Sequence, residues 1–212
     1  MEYSAIVLCA GSGTRTGLKY NKMFYQMQDQ TVYEKILSVF RHDPQCREII
    51  VVCKDDERPL FDELVQDERI TYVTGGAERQ DSVFAGLKAV TSDYVLIHDG
   101  ARPYLKEASI NGLLKCLEVH DACLLMVPCV DTIKRVIDGK VVTTLVRSEL
   151  MQAQTPQAFK TDVILKAYAT VIGQGLMATD DASMVELTGG DVYVVMGDYD
   201  NKKITTKEDL QI

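Results

Sequence analysis

No apolar run in the chain approaches the ~18–20 residues that a membrane-spanning helix needs. The start, Met1-Glu2-Tyr3, has no basic stretch ahead of the short apolar segment Ala5–Ala10, so a secretory leader is not expected. The six cysteines (Cys9, Cys46, Cys53, Cys116, Cys123 and Cys129) form no Cys-x-x-Cys pair. That excludes the compact spacings of zinc sites and redox dithiols. Four of the six sit in or beside apolar runs, where a reduced cysteine acts as a small hydrophobe. Histidine occurs only at His42, His98 and His120, too scattered for a metal cluster. Cations are also short: 23 Lys and Arg face 31 Asp and Glu, a net charge of −8. The long-range field therefore has the wrong sign for coating nucleic acid or an anionic membrane. These absences lead to the expectation of a cytoplasmic protein with no nucleic-acid or membrane partner.

What is present is an ordinary globular composition, 46% hydrophobic and 25% charged over 212 residues. That suffices for one domain with a substantial core, and no linker, repeat or low-complexity tract divides it. Short apolar runs at Tyr3–Cys9, Glu48–Cys53, Ile70–Val73, Tyr94–His98, Ala122–Val127 and Val192–Met196 read as strands. Between them, helical patterns fall near Thr31–Phe40, Asp56–Gln66, Asp81–Val90, Ser109–Val119, Thr161–Val171 and Asp180–Leu187. Strands alternating with helices predict an α/β fold, a single Rossmann-like domain over 1–212 with a mostly parallel sheet. Thr132–Ile137 and Lys140–Val146, joined by Asp138-Gly139, predict a β-hairpin instead. A lone hairpin is marginal in water, so this projecting arm, 132–154, is expected to pack on something else, with a second subunit the attractive candidate. Gln154-Thr155-Pro156-Gln157 reads as the chain's return from the arm.

A glycine-rich loop, Ala10-Gly11-Ser12-Gly13-Thr14-Arg15-Thr16-Gly17, follows the first strand. Backbone N–H groups in such a place can cradle phosphates. The spacing Gly11-x-Gly13-x-x-x-Gly17 is one residue longer than the dinucleotide fingerprint, and no Gly-Lys-[Ser/Thr] follows at P-loop distance. Arg15, Lys19 and Lys22 crowd the loop, either as solvated charges or as phosphate ligands. Ligands of open parallel sheets bind beyond the carboxyl ends of the strands. The groups expected there are Gly11–Arg15, Gly75-Gly76, Asp99 and Arg102. A carboxylate beside a phosphate loop, with no His/Cys set, suits Mg²⁺; capping the following turn is the other reading of Asp99. Together these residues point to a Mg²⁺-assisted nucleotide enzyme without naming the nucleotide.

Seven segments in order resemble the 2-C-methyl-D-erythritol 4-phosphate cytidylyltransferase family. They are Ala10–Arg15 with Lys22, Gly75–Val83 (GGAERQDSV), His98–Pro103 (HDGARP), Asp131–Lys134 (DTIK), Thr155–Gln157 (TPQ), Thr179–Ser183 (TDDAS) and Asn201–Thr205 (NKKIT). The resemblance covers nearly the whole chain. It implies a nucleotidyltransferase domain that joins CTP to a sugar-alcohol phosphate and releases pyrophosphate. Catalytic roles would fall to Arg15, Lys22 and Lys203. CTP would be held by Ala10, Gly11, Ser12, Gly13, Gly75, Gly76 and Ser82, with Arg79 and Asp81 supporting the base loop. Asp99, Arg102, Thr132, Arg147, Thr155 and Lys203 would serve the acceptor phosphate, and Asp99 would hold Mg²⁺ or another divalent cation. Arg147 and Thr155 match family positions that reach the acceptor from the partner subunit's arm, and the resemblance implies a homodimer with arm exchange and composite active sites.

Three positions depart from the usual family pattern. Thr16-Gly17 follows Arg15, Ala77 stands where an acidic residue is frequent, and Asn21 replaces a frequent proline, which predicts a looser seat for Lys22. Ribitol-5-phosphate cytidylyltransferase is the closest alternative; Gln80-Asp81-Ser82 and Gly100-Ala101-Arg102-Pro103 favour the methylerythritol enzyme. Asp198-Tyr199-Asp200 has the Asp-x-Asp form of a sugar-nucleotide glycosyltransferase, and a non-catalytic CTP-binding module is a more distant reading.

Overall fold

The protein is described from a computed structural model that covers residues 1–11 and 16–210. In chain order the elements are β1 (Tyr3–Leu8), β2 (Gln26–Met27), β3 (Gln30–Thr31), α1 (Val32–His42), β4 (Cys46–Cys53), α2 (Arg58–Leu64), β5 (Ile70–Thr74) and α3 (Arg79–Leu87). They continue with β6 (Tyr94–Asp99), α4 (Glu107–Leu117), β7 (Ala122–Pro128), β8 (Lys134–Ile137), β9 (Lys140–Thr144), β10 (Met151–Lys160), α5 (Thr161–Gly173), α6 (Asp181–Leu187) and β11 (Tyr193–Met196). Seven strands form one sheet in the order β11-β7-β10-β6-β1-β4-β5. All neighbours are parallel except β10, which runs antiparallel to both β6 and β7. The α/β, mostly parallel fold agrees with the sequence expectation.

The strands bury both faces because their side chains alternate. Ala5, Val7, Ile49 and Val51 point to one layer, where they meet Tyr33, Ile36, Leu37 and Phe40 of α1, Phe61 of α2, and Ile110, Leu113 and Leu117 of α4. Ile6, Ile50 and Val52 point to the other, against Val83 and Leu87 of α3, Tyr168 and Val171 of α5, and Met184 and Val185 of α6. Each fully buried aliphatic or aromatic side chain contributes about 1.5–3 kcal/mol. Helix α1 starts where the sequence predicts: the Thr31 hydroxyl accepts the Glu34 N–H and the Glu34 carboxylate accepts the Thr31 N–H. Cys9, Cys46, Cys53 and Cys123 are buried and all six thiols are free, with burial pushing Cys53 up to about 11 and Cys46 to about 12.

Two expectations are corrected. The return segment around Thr155-Pro156 is not a connection: it lies inside β10, in the middle of the sheet between β6 and β7. Its polar residues hide the strand period, and their hydrogen bonds replace the apolar contacts a buried strand usually makes. The side-chain amide of Gln157, for example, donates to Asp180 at 2.8 Å while its carbonyl accepts the Ala182 N–H at 2.7 Å. The seat of Lys22 is also firmer than Asn21 suggested. Asn21 caps the one-turn 3-10 helix Lys22–Phe24, accepting the Met23 N–H, and its amide donates to the Cys9 carbonyl at 2.7 Å and to Glu57 at 2.8 Å.

The arm forms as predicted at its tip. Asp138 and Gly139 take φ of 48° and 75° between β8 and β9, the left-handed pair that a tight hairpin turn requires. Both strands are exposed along their length.

Candidate active site

A cavity of about 550 Å³ opens beyond the carboxyl ends of β1, β4, β5 and β6. The parallel ladder carries on past the strands and seats the loops that line it. Cys9 N–H donates to the Val52 carbonyl at 2.7 Å, Gly75 N–H to Cys53 at 2.9 Å, and Gly100 N–H to Leu8 at 3.1 Å. Ala10, Gly11, Lys22, Gly75, Gly76, Arg79, Ser82, Asp99 and Lys203 all lie on its wall. Segments from opposite ends of the chain meet there, Lys22 reaching Ile204 across 182 residues. Arg15, Ser12 and Gly13 lie outside the described residues.

The Gly75-Gly76 loop is held by backbone and by close approach. Gly76 N–H donates to the Ser82 hydroxyl at 3.0 Å. A Cβ on Gly75 would stand 2.8 Å from the Cβ of Ala10, and one on Gly76 would stand 2.3 Å from the Cβ of Asp81, so neither position has room for a side chain. Asp81 is set behind the wall, where its carboxylate accepts the Glu78 N–H at 3.1 Å and completes the cap of α3.

Asp99 is the charge centre of the site. Its Oδ2 accepts from Lys203 Nζ at 2.6 Å, and its Oδ1 from Nε and Nη2 of Arg79, both at 3.3 Å. Burial would raise this carboxyl, but Arg79 and Lys203 outweigh it and hold it well below the usual range. Lys22 Nζ donates to the Ile204 carbonyl at 2.8 Å, which ties the first loop to the last. The cavity wall carries Lys22, Lys54, Arg79 and Lys203 against Asp99 and Glu78. A chain of net charge −8 thus presents four cations and two carboxylates among the described residues of this cavity, an arrangement suited to a polyanion.

Other expected residues sit off the wall. Thr155 is not on an exchanged arm as expected: it is buried in β10 beneath Asp99 of its own chain, accepting its backbone N–H at 3.0 Å and lying 3.0 Å from Nδ1 of His98. Arg102 turns its guanidinium to the Asn201 carbonyl at 2.7 Å and the Ala153 carbonyl at 3.4 Å. Thr132 and Arg147 are on the exposed arm, where Arg147 donates to the Val130 carbonyl at 3.1 Å. Within one chain these residues do not converge with the cavity. The Asp-x-Asp pair is engaged elsewhere: Asp198 and Asp200 both bind Lys106, Asp200 at 3.1 Å.

Sequence reasoning missed Lys54 and Glu78 on the cavity wall, and took Asn21 only as a substitution that loosens Lys22. Lys54 directly follows β4, so the strand-end rule already applied to β1, β5 and β6 would have found it.

The fit of a divalent cation rests on Asp99. No group of three or more His, Cys, Asp or Glu side chains is clustered among the described residues. Mg²⁺ commonly takes one or two carboxylates, with phosphate oxygens and water completing its shell. The donor set at Asp99 fits that mode and not an all-protein cage.

Residues 3–212 match the family described as IspD, 2-C-methyl-D-erythritol 4-phosphate cytidylyltransferase. A relative of that description from Bacillus thuringiensis is 40% identical over 99% of this chain and 95% of its own. One from Halalkalibacterium halodurans is 42% identical over 99% and 94%. Among solved structures, the 4-diphosphocytidyl-2C-methyl-D-erythritol synthase of Anaerococcus prevotii superposes with a TM-score of 0.89 at 32% identity, over 99% of this chain and 95% of that one.

Proposed function

The chain belongs to the 2-C-methyl-D-erythritol 4-phosphate cytidylyltransferase family, and from that premise we infer that it transfers CMP from CTP to 2-C-methyl-D-erythritol 4-phosphate. The products are 4-diphosphocytidyl-2-C-methyl-D-erythritol and pyrophosphate, a step in isoprenoid precursor synthesis. The observation that carries the reading is the reversal of charge in the cavity, beside a loop too tight for side chains.

The acceptor's phosphate is the nucleophile. A phosphate monoester has a second pKa near ~6, so it attacks as a dianion at neutral pH. No general base is required. The work left to the protein is in-line positioning and neutralisation of charge. Gly75, Gly76 and Ser82 hold the cytosine through backbone and hydroxyl groups, with Ala10 packed against them. Lys22 and Lys203 line the cavity where the reacting phosphates would lie, and the family motif assigns Arg15 to the same task. Asp99 would hold Mg²⁺ or another divalent cation, which when bound neutralises triphosphate oxygens. Arg102 and Thr155 serve the acceptor side, Thr155 by fixing the backbone of Asp99.

The arm extends the reading to a homodimer. Val136, Ile137, Val141, Val142 and Val146 are each about half exposed, an apolar surface that a two-stranded ribbon has no means of burying alone. Exchange across a two-fold axis would cover it and bring Thr132 and Arg147 to the partner's acceptor site. Cytoplasmic residence belongs to the same reading, since both substrates are charged, water-soluble metabolites.

The test is pyrophosphate release with Mg²⁺ and CTP, comparing methylerythritol phosphate, ribitol 5-phosphate and no acceptor. Release only with methylerythritol phosphate is expected. A preference for ribitol phosphate would overturn the substrate and keep the chemistry, and silence with both would sink the transferase reading.

A further inference from the structure

Arg79 is shared between two carboxylates, and shared unequally. Its Nη1 and Nη2 donate to Oδ1 and Oδ2 of Asp181 at 2.8 Å each, a matched fork. Toward Asp99, Nε and Nη2 converge on one oxygen at 3.3 Å. Paired, parallel bonds are the stronger geometry for a guanidinium, so the anchor of Arg79 is Asp181. That residue is fully buried at the first turn of α6 and does not line the cavity. From α5 the Tyr168 hydroxyl donates to its Oδ1 at 2.6 Å. A buried carboxylate persists only when its lone pairs are used, and here Arg79 and Tyr168 use them.

We infer that Asp181 is a positioning residue for the transfer reaction: it holds Arg79 at 3.3 Å from Oδ1 of Asp99 and keeps the guanidinium from closing further, so that these two long bonds yield to the divalent cation that accompanies the nucleotide. The inference rests on the proposed reading of Asp99 as the cation's ligand. Oδ2 is committed to Lys203 at 2.6 Å, so Oδ1, with two long contacts, is the oxygen with coordination to spare. Asp99 is the other carboxylate paired with Arg79 among the described residues. Without the charge on Asp181, the guanidinium turns to Asp99 and competes with the cation. Arg79 also opens α3 just after the Gly75-Gly76 loop, so one anchor sets the base loop and the cation's carboxylate together.

The discriminating quantity is the gain in CTP affinity on adding Mg²⁺, measured by calorimetry on the full chain as the ratio of Kd in EDTA to Kd with Mg²⁺, without acceptor. General damage to the pocket weakens both values and leaves the ratio alone. Asp181→Asn is expected to lower the gain ~10-fold, the scale of one lost charge interaction. Adding Arg79→Gln to Asp181→Asn is expected to bring the gain back to within ~3-fold of wild type, because the competing cation is gone. Asp181→Glu, which keeps the charge but shifts the anchor by one methylene, should lower the gain less and serves if the Asn variant does not fold. An unchanged gain in the folded Asp181 variant, or a double variant no better than Asp181→Asn alone, overturns the inference. Asp99→Asn runs in parallel and should abolish the gain. If Asp99→Asn keeps the wild-type gain, the cation reading of Asp99 fails and this inference falls with it. Loss there alongside an unchanged Asp181 variant overturns the inference alone.

Discussion

The hydroxyl of Thr155 lies 3.0 Å from Nδ1 of His98 and accepts the backbone N–H of Asp99 at the same distance. The Arg102 carbonyl can only accept, so in a neutral His98 the proton sits on Nε2, and the Thr155 hydroxyl donates to Nδ1 while accepting from Asp99. Nδ1 is then the acceptor of a neutral ring, and Nε2–H donates to the Arg102 carbonyl at 3.1 Å. A chain of three bonds thereby fixes the backbone on both sides of Gly100-Ala101, from the charge centre to the arginine assigned to the acceptor.

Thr155→Val removes both bonds and leaves the Asp99 N–H buried without a partner. The expected loss of stability is about 1–3 kcal/mol, read by urea unfolding. Thr155→Ser keeps the hydroxyl and should recover most of it. Equal stability for the Val variant and the wild type would show that the N–H finds another acceptor.

His98 makes stability depend on pH. Burial pushes the ring down to about 4 from its ordinary 6.5, so it stays neutral in the fold. The unfolded chain takes up the proton first as pH falls, so stability drops between about 6.5 and about 4, by about 3 kcal/mol in total. His98 adds no further loss below that window. His98→Gln should flatten this part of the stability profile, and a slope unchanged in that variant would assign it to other groups.

Lys22→Ala removes a fixed cation from the place where pyrophosphate charge is expected to develop. A preorganised donor of that kind is worth ~3 kcal/mol, so kcat should fall by more than ~10²-fold. Arg15→Ala is expected to do the same. Near wild-type turnover in either variant would take that residue out of the catalytic set.

Gly76→Ala places a methyl group against the Cβ of Asp81 and must displace the base loop. CTP binding should weaken by ~10-fold or more, about 1.4 kcal/mol. Tm should fall as well, because the methyl also presses on the backbone of Asp81, which caps α3. Unaltered CTP affinity, measured by calorimetry, would remove this loop from base recognition.

Arg147→Ala is expected to raise KM for the acceptor and leave CTP affinity unchanged, since Arg147 stands on the arm, away from the cavity of its own chain. A parallel loss of CTP affinity would make the arm a structural support.

The alternation of strands and helices could be read from hydrophobic period alone, as could the Thr31–Glu34 cap and the Asp138-Gly139 turn. These are local: each depends on residues a few positions apart, whose types state the backbone they prefer. Strand β10 escaped because Gln154, Thr155 and Gln157 are buried polar residues, and hydrophobic period has no signal for a strand held by side-chain hydrogen bonds.

By itself the sequence determined the layered α/β architecture, the strand ends at which a ligand could bind and, through motif order, the family. Tertiary structure alone decided which charges meet. Lys203 reaches Asp99 across 104 residues, and Arg79 reaches Asp181 across 102. Pairing at that separation depends on strand order, and strand order follows from how both faces of the sheet are covered at once. A residue's type fixes its charge and reach; only the closed sheet and its two helical layers fix the partner.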